Sequence, residues 1–177
     1  MRILLSLVFL LVASMPLASS EPARALGFEI GKATVAEVRQ GMSERAGPPR
    51  DSGTSAVTGG ELLIFDADRT MAGMKEEVFV FDAEGRLAAA ALTLSKDCYD
   101  EVLKALRAKY TLVDEQRPFV GNRSARFKAG EVEIVVDAPH LSFDVAVLYA
   151  TPAFRQQVDA QRRREQDAER RRDAAAF

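Results

Sequence analysis

Asp66, Asp68, Thr70 and Glu77 place side-chain oxygens at the first, third, fifth and twelfth positions of a calcium-binding loop. The sixth position, where that loop turns sharply and needs glycine, is Met71, and the flanking segments read as strands rather than helices. A solvated inter-strand loop is the better reading. Asp137, His140 and Ser142 supply the three letters of a serine triad. Nearness in sequence does not aim a base at a nucleophile, however, and Ser142 lacks a strand–turn–helix elbow. His140 therefore reads as a turn residue beside Pro139. The carboxylate pairs Glu76/Glu77 and Asp100/Glu101 are adjacent, so on a strand or helix they point apart and make no acid–base couple. Gly59-Gly60 precedes a strand, not a helix, which excludes a phosphate-cradling loop.

Cys98 is the only cysteine and His140 the only histidine, too few for a zinc site, a haem or a disulfide framework. With Asp97, Asp100 and Glu101 around it, Cys98 is poorly placed to become a thiolate and reads as a small buried hydrophobe on a helix. No catalytic, cofactor-binding or metal-binding residue is assigned, and no cofactor is expected.

The elements that must position any site come from a chain of ordinary globular composition. Of 177 residues, 47% are apolar and 28% charged, enough to build a core and too polar for a multi-span membrane protein. The balance of 24 Lys+Arg against 26 Asp+Glu provides no basic field for nucleic acid. Residues 1–20 carry one charge, Arg2, then an apolar run over 3–12 broken only by Ser6, and end in Ala18, Ser19 and Ser20. This is the pattern of a cleaved secretory signal cut after Ser20. The apolar stretch is shorter than the roughly 20 residues of a membrane span, and no cysteine stands at the cut to take a lipid. The expected mature chain is periplasmic and soluble, without a stable membrane anchor.

Along that chain, residues 26–30 read as a short strand. Thr34 with Glu37 forms a capping box that opens a helix whose Val35, Val38 and Met42 share a face. Residues 43–60, rich in Pro, Gly and Ser, read as a loop with a weak strand at 55–58. Strands follow at 61–66, 77–82 and 86–94, the last two joined by the turn Asp82-Ala-Glu-Gly85. The run Ala88 to Ala91 would also suit a helix, and the hairpin context decides for strand. Ser95 or Asp97 is expected to cap a second helix with the stripe Tyr99, Val102, Leu103, Leu106, Tyr110. Three strands then fall at 124–128, 131–137 and 143–149, with Phe143, Val145, Val147 and Tyr149 on one face.

Thr151 and Pro152 start a final helix by N-cap and N1 chemistry, with Phe154 and Val158 docking on the body. Beyond them, seven arginines of residues 151–177 meet five acids in a coiled-coil-like charged helix. The pairs Asp159–Arg163 and Asp167–Arg171 have the favourable acid-first order. The fold class is thus α+β, an antiparallel sheet with helices packed on one face. It carries a pseudo-repeat of helix plus three strands and a charged C-terminal helix. The expected division is a signal at 1–20, a domain at 21–150 with halves at 26–94 and 95–150, and the helix at 151–177.

The segment Leu26-Gly-Phe-Glu-Ile-Gly-Lys-Ala-Thr-Val-Ala-Glu-Val resembles small bacterial envelope proteins that begin with a strand, a glycine and a capped helix. Phe119-Val120-Gly121 and the closing Tyr149 resemble an uncharacterised family of secreted proteobacterial proteins. The order of helix and strands is similar, more loosely, to the tandem units of β-lactamase inhibitor protein and of the small outer-membrane assembly lipoprotein. The resemblance implies a periplasmic protein with no transferable catalytic residue. The leading expectation is a non-enzymatic protein that binds another envelope protein through its sheet face or the 43–60 loop. The alternative is a small-ligand or lipid-binding module with a cleft between helices and sheet.

Overall fold

The structure is a computed structural model that describes residues 21–67 and 71–175. The expected signal at 1–20, positions 68–70 of the calcium-loop pattern and the terminal Phe177 lie outside the described residues. In chain order the elements are β1 (Arg24–Ala25), β2 (Phe28–Glu29), α1 (Val35–Ala46), β3 (Asp51–Thr54), β4 (Glu61–Asp66), β5 (Met74–Phe81) and β6 (Leu87–Ser95). A 3₁₀ turn (Lys96–Cys98) leads into α2 (Tyr99–Arg107). Then come β7 (Thr111–Gln116), β8 (Arg123–Ala129), β9 (Val132–Ala138), β10 (Asp144–Ala150) and α3 (Pro152–Ala175).

Eight strands form one sheet in the order β3-β4-β5-β6-β10-β9-β8-β7, with every pairing antiparallel. Each half is a helix followed by a four-stranded meander, and the last strands of the two meanders, β6 and β10, pair at the centre. The halves therefore share a single sheet. The expected unit of helix plus three strands is corrected to four by β3 and β7. Both are edge strands: β3 is exposed along its whole length and β7 along nearly all of it, so neither shows the alternation by which a half-buried strand is read.

One apolar cluster fills the layer between the sheet and helices α1 and α2. Leu63, Phe65, Phe79, Phe81, Phe127, Ile134, Val136, Val145 and Val147 from the strands join Val38, Met42, Leu103 and Leu106 from the helices. Each such side chain contributes about 1.5–3 kcal/mol on burial. The Thr34 capping box forms as expected, with the Thr34 oxygen accepting from Glu37 N–H and Glu37 accepting from Thr34 N–H.

Several local expectations are corrected. The strand expected at 26–30 is a two-stranded hairpin, because Leu26 and Gly27 both take positive φ (51° and 93°), the signature of a type I′ turn. Residues 55–60 form a turn instead of a strand, and the strand lies just before it at β3. Gly60 is essential to that turn: a Cβ there would stand 2.2 Å from the backbone oxygen of Asp82. Neither Ser95 nor Asp97 caps α2 by its side chain; the 3₁₀ turn delivers the chain into the helix. Phe143 lies outside β10 and points to solvent, while Val145, Val147 and Tyr149 are buried.

The helix α3 lies on the opposite face of the sheet from α1 and α2. Its half-buried Phe154 and Val158 meet the outward-facing Val135 and Leu148, and Arg155 pairs with Glu133 at 2.8 Å. Thr151 caps it, accepting from Phe154 N–H at 3.2 Å. The alanine run now has a packing role. Ala89 and Ala91 of β6 face outward, Ala89 is fully buried, and Thr151 N–H donates to Ala88 O at 3.0 Å where α3 begins. Further along α3, Asp167 faces Arg170 at 4.0 Å, one residue short of the expected Arg171. Among the described residues, no helix is long and apolar enough to cross a membrane.

Candidate functional site

The register sets the ends of β7, β8, β9, β10 and β6 side by side: Gln116 pairs with Ser124, Arg123 with Ala138, and Asp144 with Ser95. Residues 117–122 and 139–143 are consequently neighbouring loops, with the 96–98 turn beside them. Among the described residues, seven large apolar side chains are exposed, and five of them (Met71, Phe119, Val120, Leu141 and Phe143) lie at this end of the sheet. Phe119, Leu141 and Phe143 are 105%, 92% and 86% exposed, so they stand clear of the surface. Singly scattered apolar residues are unremarkable on a protein surface, but a concentration at one end marks a contact surface.

The loops holding these side chains are internally tied. Lys96 Nζ donates to the carbonyls of Pro139, His140 (3.0 Å) and Ser142 (2.9 Å), using all three of its protons. Lys96 N–H also donates to Phe143 O at 2.9 Å. Residues 139–143 thus wind round one ammonium, with their apolar side chains left on the outside. His140 N–H donates to Asn122 Oδ1 at 2.8 Å, which links this loop to 117–122.

Between the loops is a groove of about 590 Å³ lined by Lys96, Arg117, Pro118, Phe119, Gly121, Arg123 and His140, with no carboxylate among them. Beside it Tyr99, the first residue of α2, is buried and carries two guanidiniums near its ring, Arg123 at 4.9 Å and Arg117 at 5.9 Å from the centroid. Arg117 also pairs with Asp100 at 2.7 Å. Arg123 is half-buried and has no acidic partner among the described residues. The Tyr99 hydroxyl is buried and has no hydrogen-bond partner among the described residues. Burial pushes its ionisation upward, reinforced by the Glu115 charge and opposed by Arg117 and Arg123.

The residues singled out by sequence do not assemble into reactive sites. Glu77 is fully buried in the core, in register with Phe65 and Leu92, whereas Asp66 lies on the opposite face of the sheet and pairs with Arg50. The two outer carboxylates of the calcium pattern are therefore directed apart. Among the described residues, no group of three or more His, Cys, Asp or Glu side chains converges on a metal-sized space. His140 uses its backbone in the loop tie, and the Ser142 oxygen accepts from Asp144 N–H at 3.0 Å. Glu76 is held by Arg50, and Asp100 by Arg117. Cys98 is half-buried against the core, with its sulfur 3.6 Å from Ala72 O. The 43–60 segment is largely built into α1, β3 and the turn that follows.

A smaller groove, about 330 Å³ between the N-terminal hairpin and the start of α1, has its charges satisfied internally. Glu29 pairs there with both Arg24 and Lys32. Sequence reasoning missed the loop-end cluster. Its signal was present in part: Pro118-Phe-Val-Gly121 and Pro139-His-Leu set large apolar residues among turn formers, where no strand or helix period can bury them, whereas Phe143 fits the alternation of the strand that follows. No protein-family model, curated protein or solved structure matches the chain.

Proposed function

We propose that the chain is a non-enzymatic periplasmic protein, released by cleavage after Ser20, that binds another envelope protein through the loop end of its sheet. The observation that carries this reading is the convergence of Phe119, Val120, Leu141 and Phe143 on two mutually tied loops. Burying such side chains against a partner recovers the free energy lost by exposing them to water, and a pre-ordered loop loses little entropy on docking. The balanced overall charge argues against nucleic acid. The signal pattern of residues 1–20 and the resemblance to secreted envelope proteins support the compartment.

The test is affinity capture from periplasmic extract with the wild type and with a Phe119→Ser, Leu141→Ser double variant. Both side chains are exposed, so the thermal melt should not change. The wild type is expected to recover a partner in stoichiometric amount and the variant to lose it. Equal recovery by both, or no stoichiometric partner, overturns the docking reading. N-terminal sequencing of the protein from its own cell should begin at Glu21; a start at Met1 overturns the compartment.

A further inference from the structure

We infer that the groove between the two loops is a subsite for an acidic peptide segment, with Arg123 receiving a carboxylate and Phe119 taking an apolar neighbour of that carboxylate. The inference rests on the docking reading and adds the chemistry of the partner.

The groove is lined by two arginines, a lysine and a histidine with no carboxylate among them, although acids are not rare in this chain. Of the lysine and the two arginines, Lys96 has spent its three protons on carbonyls and Arg117 is held by Asp100. Among the described residues, Arg123 is the guanidinium of the groove that meets an aromatic face and no acid. Its Cζ lies over the Tyr99 ring, 4.9 Å from the centroid, and none of its N–H groups donates to a carboxylate among the described residues. The fork of a guanidinium matches a carboxylate in two parallel hydrogen bonds.

Arg123 and Arg117 lie within 6 Å of the same ring. Among the described residues Asp100 is paired with Arg117, and Glu115, whose charge also acts on that ring, is paired with Arg107, so Arg123 is left as a positive excess that an incoming anion would relieve. Phe119, fully exposed, forms part of the same wall and offers an apolar surface within reach of the anion site. A flat anionic bilayer is the poorer fit. It would meet the exposed Asp97 and Asp100 at this end together with the cations, and Arg123 is recessed and half-buried. A chain segment can enter a groove that a plane cannot.

The experiment measures fluorescence anisotropy of a labelled, end-capped peptide of alternating glutamate and leucine. Companion peptides carry glutamine or lysine in place of glutamate. Each is titrated with the full-length mature protein, with Arg123→Gln, with Arg123→Lys, and with Arg163→Gln on α3 as a distant control. The wild type should bind the glutamate peptide about tenfold or more tightly than the glutamine peptide, and hardly bind the lysine peptide. Arg123→Gln should erase that discrimination, Arg123→Lys should keep part of it, and Arg163→Gln should leave it intact. Added salt should weaken glutamate-peptide binding.

Equal binding of the glutamate and glutamine peptides by the wild type overturns the inference even if Arg123→Gln does not fold. So does discrimination that survives Arg123→Gln. Binding to phosphatidylglycerol vesicles but to no peptide also overturns it, in favour of a membrane. If the Phe119, Leu141 variant loses its partner in the capture experiment while the glutamate peptide is not preferred, the acidic chemistry is wrong and the docking face stands. If both experiments fail, the docking face itself is wrong.

Discussion

The backbone N–H of His140 donates to the side-chain oxygen of Asn122 at 2.8 Å, and through this bond the β9–β10 loop is tied to the β7–β8 loop across the end of the sheet. Together with the ammonium of Lys96 inside the 139–143 loop, it makes a fixed platform from two segments that share no hydrophobic core of their own.

Asn122→Ala should loosen that platform without unfolding the protein. Amide hydrogen exchange at 139–143 is expected to quicken, with global stability falling by about 0.5–1.5 kcal/mol, the net worth of one hydrogen bond. Lys96→Met, which leaves three carbonyls without their donor, should cost more, about 1–3 kcal/mol, and should also quicken exchange. Unchanged exchange in both variants would mean that the loops are held by something other than these bonds.

Gly73 and Gly60 give a second, contrasting pair of substitutions. A Cβ at Gly73 would lie 2.4 Å from Cys98 Sγ, and the residue has φ +80°. Gly73→Ala should therefore destabilise by about 1–3 kcal/mol, part clash and part backbone strain. Adding Cys98→Ala should return part of the loss, because the sulfur is the obstacle, while the strain stays. At Gly60 the obstacles are the backbone oxygens of Asp82 and Phe81, at 2.2 and 2.3 Å. Gly60→Ala should cost about 3 kcal/mol or more, with no second-site side-chain rescue. Urea unfolding of the single and double variants measures the coupling directly.

Stability should fall on the alkaline side. Burial, with a smaller contribution from the Tyr110 charge, holds the Tyr149 phenol far above its ordinary value of 10.0, and Tyr99 is raised in the same direction. A group whose folded value is raised keeps its full stabilising effect below the unfolded value. It loses that effect as pH climbs toward the folded one. The melting temperature should thus be insensitive to these tyrosines below about pH 9 and decline above about pH 10. Tyr149→Phe should shrink the decline. An identical alkaline slope in that variant would remove Tyr149 from the account.

Much of this protein is decided locally and was legible in the sequence. The Thr34 and Thr151 caps, the stripe of α2 and the strand at 61–66 follow from side-chain chemistry within one element. Strand β7 was not legible. It is an edge strand whose Leu112 and Val113 are exposed, so its identity comes from pairing with β8 and not from any pattern of its own. The alanines of β6 read ambiguously because their size answers to the α3 helix, which passes over them from beyond residue 150.

The loop end has the same character. Each of Phe119, Leu141, Lys96 and Arg123 is an ordinary residue in its own segment, and only the strand order β10-β9-β8-β7, with β6 beside β10, brings them together. A sequence fixes caps and periods because those depend on residues a few positions apart. A surface assembled from residues 96, 119, 123 and 141 depends on which strands pair, and that is settled by the folded sheet alone.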